Sequence, residues 1–293
     1  MSKSKIIDGH ALANKIKDKI VKDVEKYCHA TETNGQRPNL AIILVGERED
    51  SKLYVKMKER EAKKIGIDTH LYKFNSLVTE KDLLDTIKFL NEDPLIDAIL
   101  VQLPLPKHID ANKIINSIKP EKDADRFHKK NLEFLFTTCE YGKILPPVFG
   151  VVLEILKSIN YDIKNKKVCI ITNSDIFGKN LARILECQQA KVDVVYSNNK
   201  NIAQKSKKAD VLITAVGRPK FITKDMVKEN AVIIDIGISR KNGKVCGDVD
   251  FEKVKNKVDF ITPVPGGVGP ITIAILFRNV IEIYKKSKHK IKS

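Results

Sequence analysis

The feature of this 293-residue chain that most limits its fold is the alternation, from one end to the other, of short apolar runs with stretches of helical periodicity. Apolar runs of about four to eight residues bounded by turn residues are typical of strands buried on both faces. Strands that alternate with helices favour a parallel sheet joined by crossover helices. The sequence therefore predicts an α/β protein.

The alternation falls into two blocks, as expected for a chain longer than most single cores. The first block has predicted helices at 10–28, 51–66 and 80–91 and predicted strands at 39–46, 70–74 and 97–106. The second has predicted helices at 150–159 and 179–189 and predicted strands at 166–172, 191–197, 209–217, 231–237 and 259–265. The second pattern predicts a doubly wound sheet of Rossmann type.

We accordingly predict two α/β domains. The N-terminal domain spans residues 1–145 and is joined by a C-terminal helix at 270–293. The Rossmann-type dinucleotide-binding domain spans residues 146–269.

The net charge of +16 raises the question of a nucleic-acid partner. The 45 lysines outnumber the 8 arginines and are spread along the chain, and no basic run is interleaved with aromatic residues. No helix-turn-helix, zinc-finger or RRM pattern is present, so we expect no nucleic-acid partner. A polyanionic small molecule would be attracted by the same positive field.

No apolar run approaches the roughly 18 residues of a membrane span, and the first residues lack the apolar segment of a secretory signal. We therefore expect a cytoplasmic protein without a membrane partner. Five cysteines, odd in number and widely scattered, predict neither a disulfide framework nor a metal site.

A lysine in the segment SKLYVKMKEREAKKIG falls on the side of its predicted helix that should be buried. At 3.6 residues per turn, Lys58 shares one stripe with Tyr54, Met57 and Ala62. An ammonium that faces a core costs several kcal/mol unless it is paired, loses its proton or faces a cavity. Either its stem follows apolar surface so that the charge reaches water, or the amine has a function.

Polar residues also follow the last predicted strand of the first block. Gln102, in ILVQLPLP, lies at the carboxyl end of a buried strand, where open α/β sheets bind ligands. Its amide either satisfies backbone groups or faces a site. Asp123 and Asp125, in EKDADRFH, lie in a predicted loop, where solvated carboxylates are the commoner outcome.

The turn TNSDIFG follows the first strand of the second block and leads into a helix, where a dinucleotide's pyrophosphate would bind. Of the usual glycines only Gly178 is present, while Asn173 tolerates a left-handed turn and Ser174 offers a hydroxyl and a backbone N–H. Cofactor binding and an ordinary tight turn both stay open.

The strand after this turn ends in YSNNK, which contains no acid to bind the ribose hydroxyls of NAD. Ser197, Asn198 and Lys200 leave room for a 2′-phosphate instead. The segment therefore favours NADP over NAD.

The loop TPVPGGVGPIT, residues 262–272, contains three prolines and three glycines. Such a loop is rigid, and its backbone can approach a ligand closely. A ligand contact is favoured over a purely structural joint between domains.

Seven segments occur in the order of one known family. They are YVxxK at 54–58, VQLPLP at 101–106, KDADxFH at 122–128, AVGRPKFI at 215–222, IDIGI at 234–238, GDVDF at 247–251 and the loop at 262–272. Over nearly its full length the chain resembles the bifunctional methylenetetrahydrofolate dehydrogenase/methenyltetrahydrofolate cyclohydrolase (FolD) family.

The resemblance implies two reactions in an active-site cleft between the two domains. The first oxidises 5,10-methylenetetrahydrofolate with NADP, with NAD as the alternative cofactor. The second hydrolyses the 5,10-methenyl product to 10-formyltetrahydrofolate. The implied partners are tetrahydrofolate derivatives, and the implied setting is a homodimer in one-carbon metabolism and purine biosynthesis.

The resemblance also assigns residues. It implies that Lys58 is the acid/base of the hydrolysis, that Tyr54 stacks on the folate, that Gln102 hydrogen-bonds the lysine, and that Asp125 accepts hydrogen bonds from the pterin. The loop residues implied to border the folate are Pro265, Gly266 and Gly269. The implied cofactor contacts are Thr172, Asn173, Ser174, Gly178, Ser197 and Ile238.

Three segments depart from the family pattern. TNSDIFGKN stands where relatives have GRSxxVGRP, PPVFG stands for PCTPxG, and Arg126 replaces a glycine beside Asp125. Loss of an arginine near the 2′-phosphate should weaken the preference for NADP. An alternative is therefore a cyclohydrolase-only or catalytically reduced relative that binds folate or nucleotide.

Overall fold

A computed structural model describes residues 5–28, 35–139, 144–241 and 243–290 of the chain. The described residues form two compact units. The six-stranded unit contains residues 5–13, 135–139 and 148–272, and the three-stranded unit contains the rest.

The strands are β1 (Lys5–Ile6), β2 (Asn39–Val45), β3 (Asp68–Phe74), β4 (Ala98–Val101), β5 (Lys167–Thr172), β6 (Lys191–Tyr196), β7 (Val211–Ala215), β8 (Val232–Asp235), β9 (Ser239–Lys241), β10 (Lys244–Cys246) and β11 (Phe260–Ile261). The helices are α1 (Gly9–Cys28), α2 (Glu49–Lys64), α3 (Glu80–Glu92), α4 (Ala111–Ser117), α5 (Lys129–Thr138), α6 (Pro147–Ser158), α7 (Asp175–Cys187), α8 (Ile202–Ser206), α9 (Phe251–Val254) and α10 (Val268–Lys290), with a 3₁₀ helix at Lys224–Met226.

The three-stranded unit has the parallel order β3-β2-β4. Its central strand β2 is buried from Leu40 to Val45, which explains the continuous apolar run. Helix α3 begins with a capping box formed by Thr79 and Asp82. The Thr79 hydroxyl accepts from the Asp82 N–H at 3.1 Å, and the Asp82 carboxylate accepts from the Thr79 N–H at 3.2 Å.

The six-stranded unit has the parallel order β1-β11-β8-β7-β5-β6. Strand β5 lies between β6 and β7, so the chain winds outward from β5 in both directions. The carboxyl ends of β5 and β7 consequently border the point where doubly wound sheets bind ligands. The predicted two-domain α/β class, with one doubly wound sheet, is confirmed.

Several strands differ from their predicted bounds. Strand β4 ends at Val101 and β11 at Ile261, before Pro104 and Pro263, because proline cannot donate a hydrogen bond to the next strand. The two-residue strand β1 and the antiparallel pair β9–β10 were not predicted, since segments of two or three residues carry no detectable period.

Cys139 and Cys187 form a disulfide with their Cα atoms 5.6 Å apart, contrary to the expectation drawn from the scattered cysteines. The two residues lie 48 positions apart, at the ends of α5 and α7. Spacing along the sequence could not reveal this pair, because the fold brings the two helix ends together. No helix in the described part of the chain is long and apolar enough to span a membrane.

Candidate active site

Lys58 forms a hydrogen bond with Gln102 in the three-stranded unit. The Lys58 Nζ donates to the Gln102 Oε1 at 2.9 Å. The sheet fixes the position of Gln102, since its backbone N–H donates to the Ile43 carbonyl at 2.8 Å. The Gln102 Nε2 donates to the Leu103 carbonyl at 2.7 Å, so the Oε1 is the end of the amide that faces the lysine.

Lys58 lies on the flank of the buried face of α2 and is half-buried, as are Tyr54 and Met57. The fully buried residues of the helix are Ser51, Val55 and Ala62. The ammonium therefore does not extend freely into water, because its nitrogen donates to the amide of Gln102, the residue that follows strand β4. This geometry disfavours the interpretation in which the lysine stem follows apolar surface so that the charge reaches water.

The charges of Lys58 and Asp125 interact within the same unit. Burial lowers the pKa of Lys58, and the negative charge of Asp125 opposes that change. Burial raises the pKa of Asp125 to about 6, opposed by the charge of Lys58 and reinforced by that of Asp123. The two groups thus exchange protons closer to neutrality than free lysine and aspartate would.

The loop that carries Asp125 is organised by Asp123, which is only 2% exposed. The Asp123 carboxylate accepts from the backbone N–H groups of Arg126 at 2.9 Å and His128 at 2.8 Å. It also accepts from the Asn131 Nδ2 at 3.1 Å. The interpretation of Asp123 as a solvated carboxylate is wrong, because the loop folds around it.

Arg126, for which the family resemblance implies a glycine, adopts a left-handed backbone conformation with φ of 62°. Its guanidinium NH1 donates to the Pro120 carbonyl at 2.6 Å. The side chain is therefore engaged by the loop's own backbone.

Sequence reasoning missed Asn279, a fully buried residue of α10. Its Nδ2 donates to the carbonyls of Ala124 at 3.0 Å and Leu145 at 2.7 Å, which anchors the loop next to Asp125. The available signal was an amide in the mostly apolar stretch ITIAILFRNVIEI.

The TNSDIFG turn joins β5 to α7 in the six-stranded unit. The Thr172 hydroxyl accepts from the Ser174 N–H at 3.1 Å, and the Ser174 Oγ accepts from the Phe177 N–H at 3.2 Å as the helix cap. A Cβ on Gly178 would lie 2.8 Å from the Val194 side chain, so glycine permits close packing of α7 on β6. Close helix–strand packing at this position is what a dinucleotide-binding turn requires.

Asp175, the first residue of α7, is an acid beside this turn that the sequence analysis did not consider. The Asp175 carboxylate accepts hydrogen bonds from the Tyr196 hydroxyl and from the Lys179 Nζ, the latter at 3.0 Å. The Ser197 Oγ donates to the Asn173 Oδ1 at 2.6 Å. Asp175 thus supplies a carboxylate next to the end of β6, where the segment YSNNK itself contains no acid.

Ile238 follows β8 and is 49% exposed, and Gly217 follows β7 with φ of 76°. Together with Thr172 and Ser174 they place small, polar and exposed groups at the carboxyl ends of neighbouring parallel strands. This arrangement fits a nucleotide at the switch point of the sheet.

The proline- and glycine-rich loop packs backbone against backbone on the start of α1. The Gly9 N–H donates to the Gly266 carbonyl at 3.0 Å, and a Cβ on Gly9 would lie 1.7 Å from the Gly267 carbonyl oxygen. Gly266 has φ of 97°, Pro265 is exposed, and a Cβ on Gly269 would meet nothing within 4 Å. Gly9 was missed because one glycine before a helix is an ordinary start signal.

The predicted site residues divide between the two units. Tyr54, Lys58, Gln102 and Asp125 belong to the three-stranded unit. The six-stranded unit contains the others, which are Thr172, Asn173, Ser174, Gly178, Ser197, Ile238, Pro265, Gly266 and Gly269.

Comparison with known proteins matches both units. Residues 7–125 match the family model "Tetrahydrofolate dehydrogenase/cyclohydrolase, catalytic domain", and residues 147–288 match its "NAD(P)-binding domain". The "Bifunctional protein FolD" of Nautilia profundicola is 44% identical over 288 residues, covering 98% of this chain and 99% of the relative.

Two solved structures are similar over the same extent. The crystal structure of the bifunctional enzyme FolD from Campylobacter jejuni has a TM-score of 0.91 and 39% identity, and the match covers 97% of this chain and 99% of that one. The Trypanosoma brucei methylenetetrahydrofolate dehydrogenase-cyclohydrolase, complexed with NADP cofactor and inhibitor, has a TM-score of 0.93 and 33% identity, with coverage of 98% and 99%. This chain therefore belongs to the tetrahydrofolate dehydrogenase/cyclohydrolase family.

Proposed function

We propose that this chain oxidises 5,10-methylenetetrahydrofolate to 5,10-methenyltetrahydrofolate with NADP and hydrolyses that product to 10-formyltetrahydrofolate. The family match over both units supports the pair of reactions. The observation that carries the proposal is the hydrogen bond between Lys58 and Gln102, with burial lowering the pKa of the lysine.

In the hydrolysis, Lys58 moves the protons. Its amine accepts a proton from the water that attacks the methenyl carbon and delivers it to the folate nitrogen released when the ring opens, and the second proton of that water is released to solvent as the formyl group forms. Gln102 orients the amine through its Oε1, and Tyr54, one helical turn before Lys58, stacks on the folate ring. Asp125 accepts hydrogen bonds from the amino-pyrimidine edge of the pterin, which selects rings that carry those donors.

In the oxidation, the residues of the six-stranded unit bind and orient. NADP, when bound, accepts a hydride from the methylene carbon of the folate. The residues that would hold it are Thr172, Asn173, Ser174, Gly178, Ser197 and Ile238. The backbone of Pro265, Gly266 and Gly269 would border the folate.

The catalytically reduced alternative is not favoured. The chain is 44% identical over 98% of its length to a protein named bifunctional, and a relative with 33% identity has NADP bound. The altered turn keeps a helix-capping serine and a glycine that allows close packing. NAD stays an alternative cofactor in this proposal.

We further propose that the protein acts in the cytoplasm as a homodimer and supplies 10-formyltetrahydrofolate for purine biosynthesis, with no nucleic-acid or membrane partner. These statements are supported by the resemblance to the family and by the absence of basic or apolar segments suited to those partners.

The absorbance of methenyltetrahydrofolate tests both reactions. Its decay with purified protein measures hydrolysis, and its formation from the methylene form with NADP or NAD measures oxidation. Lys58→Met should lower the hydrolysis rate by roughly 10² to 10⁴. Lys56→Met, an exposed position on the same helix, is the matched control and should leave the rate unchanged. Hydrolysis by Lys58→Met at the wild-type rate would refute the assignment.

A further inference from the structure

Two buried carboxylates in the six-stranded unit take no part in the chemistry described above. Asp235, at the end of β8, is 2% exposed, and Asp248, two residues after β10, is fully buried. Burying a carboxylate costs several kcal/mol unless hydrogen bonds replace its water. The groups that replace that water show what each carboxylate holds in place.

Asp248 fixes the segment that follows β7. Its Oδ2 accepts from the Thr214 hydroxyl at 2.8 Å and from the Val216 N–H at 2.7 Å. Its Oδ1 accepts from the Arg218 N–H at 2.8 Å. One carboxylate therefore determines the path of the chain from the end of β7 to Arg218.

Asp235 fixes the turn that follows β8 and also the segment that carries Asp248. Its Oδ1 accepts from the Gly237 N–H at 3.0 Å and from the Asp248 N–H at 3.1 Å. Its Oδ2 accepts from the Val249 N–H at 2.9 Å. The two acids are thus linked through the backbone of residues 248 and 249.

Each carboxylate lies against a glycine of the other's segment. A Cβ on Gly237 would lie 2.1 Å from the Asp248 carboxyl carbon, and a Cβ on Gly247 would lie 2.2 Å from the Asp235 Oδ2. No other residue type fits at these two glycines while the carboxylates keep their positions. The pairs Asp235–Gly247 and Asp248–Gly237 therefore form one reciprocal unit, which we call the double-aspartate lock.

The segments held by the double-aspartate lock lie where a nucleotide would bind. Val216 to Arg218 follow β7, which is adjacent to β5, and Gly237 and Ile238 follow β8, which is adjacent to β7. Both segments lie at the carboxyl ends of these parallel strands. Doubly wound sheets bind their ligands at this edge. Exposed backbone can contact a cofactor reproducibly only if something beneath it is rigid.

We propose that Asp235 and Asp248 are positioning residues for the nicotinamide nucleotide, because they hold residues 216–218 and 237–238 in the conformation that the cofactor meets. This inference rests on the proposed function. Neither carboxylate contacts the reacting atoms, and the hydrolysis, which consumes no nucleotide, does not need them.

Asp248→Asn tests the proposal with little change of shape. The Asn carbonyl can still accept from Thr214 and Val216, but its NH₂ then faces the Arg218 N–H, so one donor loses its partner. The KM and the Kd for NADP should rise roughly tenfold or more, which is the effect of one lost hydrogen bond to a charged group. The dehydrogenase kcat at saturating NADP and the hydrolysis rate should stay within about threefold of wild type.

Thr214→Val is the second variant, because it removes one donor to Asp248 and keeps the carboxylate. It should raise the KM for NADP severalfold, and it decides the question if Asp248→Asn does not fold. Asp210→Asn is the control at the opposite edge of the sheet, where the carboxylate accepts from the Lys167 N–H at 2.8 Å. It should lower the thermal stability and leave the KM for NADP unchanged.

Measurements on the wild-type protein distinguish failure of the proposed function from failure of the positioning role alone. If it neither binds NADP in calorimetry nor oxidises the methylene folate, the proposed function fails and this inference falls with it. If wild type does both, a KM for NADP within twofold of wild type in Asp248→Asn and Thr214→Val overturns the positioning role alone. Loss of hydrolysis and oxidation by the same factor, as general destabilisation would cause, also overturns it.

Discussion

Lys58 shows how one misplaced charge in a sequence points to chemistry. Its helix positions it at the flank of the buried face, and its nitrogen is held by Gln102 rather than by water alone. An acid in the same unit, Asp125, is also buried enough to shift toward neutrality. A lysine and an acid displaced in opposite directions are the combination expected of proton transfer near pH 7.

Asp125 should make folate binding depend on pH. Its pKa is raised to about 6, so the carboxyl is neutral below that value and a better hydrogen-bond acceptor above it. The KM for methenyltetrahydrofolate should therefore fall as pH rises from 5 to 7, by up to about tenfold per pH unit below the pKa. Initial hydrolysis rates over a substrate series at each pH measure this.

Asp125→Asn should give a higher KM with no step near pH 6. Glu121→Gln, an exposed carboxylate of the same loop, is the matched control and should keep the wild-type profile. A pH-dependent step that persists in Asp125→Asn would assign the titration to another group.

Arg126 should contribute to stability rather than to catalysis. Arg126→Gly loses the bond to Pro120 but relieves the left-handed backbone, which costs an L-residue about 1–2 kcal/mol, whereas Arg126→Ala loses the bond without that relief. The alanine variant should therefore be about 1 kcal/mol less stable than the glycine variant in urea unfolding. Both should hydrolyse the methenyl folate within about threefold of the wild-type rate. A larger loss in both would place the guanidinium in the active site.

Asp175 should oppose the 2′-phosphate of NADP. It is exposed, and its hydrogen bonds from Tyr196 and Lys179 lower its pKa, so it is ionised at neutral pH. Asp175→Asn should lower the KM for NADP roughly two- to fivefold and change the KM for NAD less, as expected for one solvent-screened charge. Asp193→Asn removes an exposed charge elsewhere on β6 and is the control. Equal changes for both cofactors would show that Asp175 does not sense the phosphate.

At the scale of elements, the sequence predicted what periodicity and turn chemistry encode. The buried strands β2, β5 and β8 and the turn from β5 into α7 follow from local pattern. Strands β4 and β11 end earlier than predicted, because the predicted strands extended past the prolines that terminate them.

Pairings between distant residues could not be read in the same way. The pairing of β1 with β11, the hydrogen bond from Asn279 to the Ala124 carbonyl and the Asp175–Tyr196 bond each join segments that come close together only after folding. Family resemblance supplied Asp125 as a site residue, whereas its pattern alone suggested solvated carboxylates. Long-range polar contacts leave no period in a single sequence.

The disulfide between the ends of α5 and α7 should stabilise the oxidised protein. Closing a loop of 48 residues is worth about 2–4 kcal/mol, so Cys139→Ser should lower the free energy of unfolding by that amount without reductant and by little in dithiothreitol. Cys246→Ser, which removes a free thiol, is the control. Thiol titration of unfolded, unreduced wild type should find three free cysteines, and five would show that the pair is open.

At the scale of the whole molecule, the proposed acid–base residues and the proposed nucleotide residues belong to different units of the chain. Their substrates share one property, because tetrahydrofolate derivatives carry carboxylates and NADP carries phosphates. A net charge of +16 therefore favours the approach of both.

The free energy of unfolding should fall as the pH rises toward neutrality, because Asp235 of the double-aspartate lock ionises in that range. Burial raises the pKa of Asp235 to about 7, opposed by the Val249 N–H bond and reinforced by the charge of Asp248. Because the folded pKa lies above the ordinary value near 3.9, the stabilisation is complete below about pH 4 and is lost as pH rises through about 7. The full change is on the order of 4 kcal/mol.

Urea unfolding of wild type and Asp235→Asn between pH 4.5 and 8.5 measures this contribution. The net positive charge also changes with pH, but it affects both proteins equally and cancels in their difference. The variant lacks an ionisable group at this position, so its stability relative to wild type should rise with pH and level off above about pH 8. A difference that stays constant across this range would mean that the Asp235 carboxyl does not titrate there, and that the lock holds its charge at every pH at which the enzyme works.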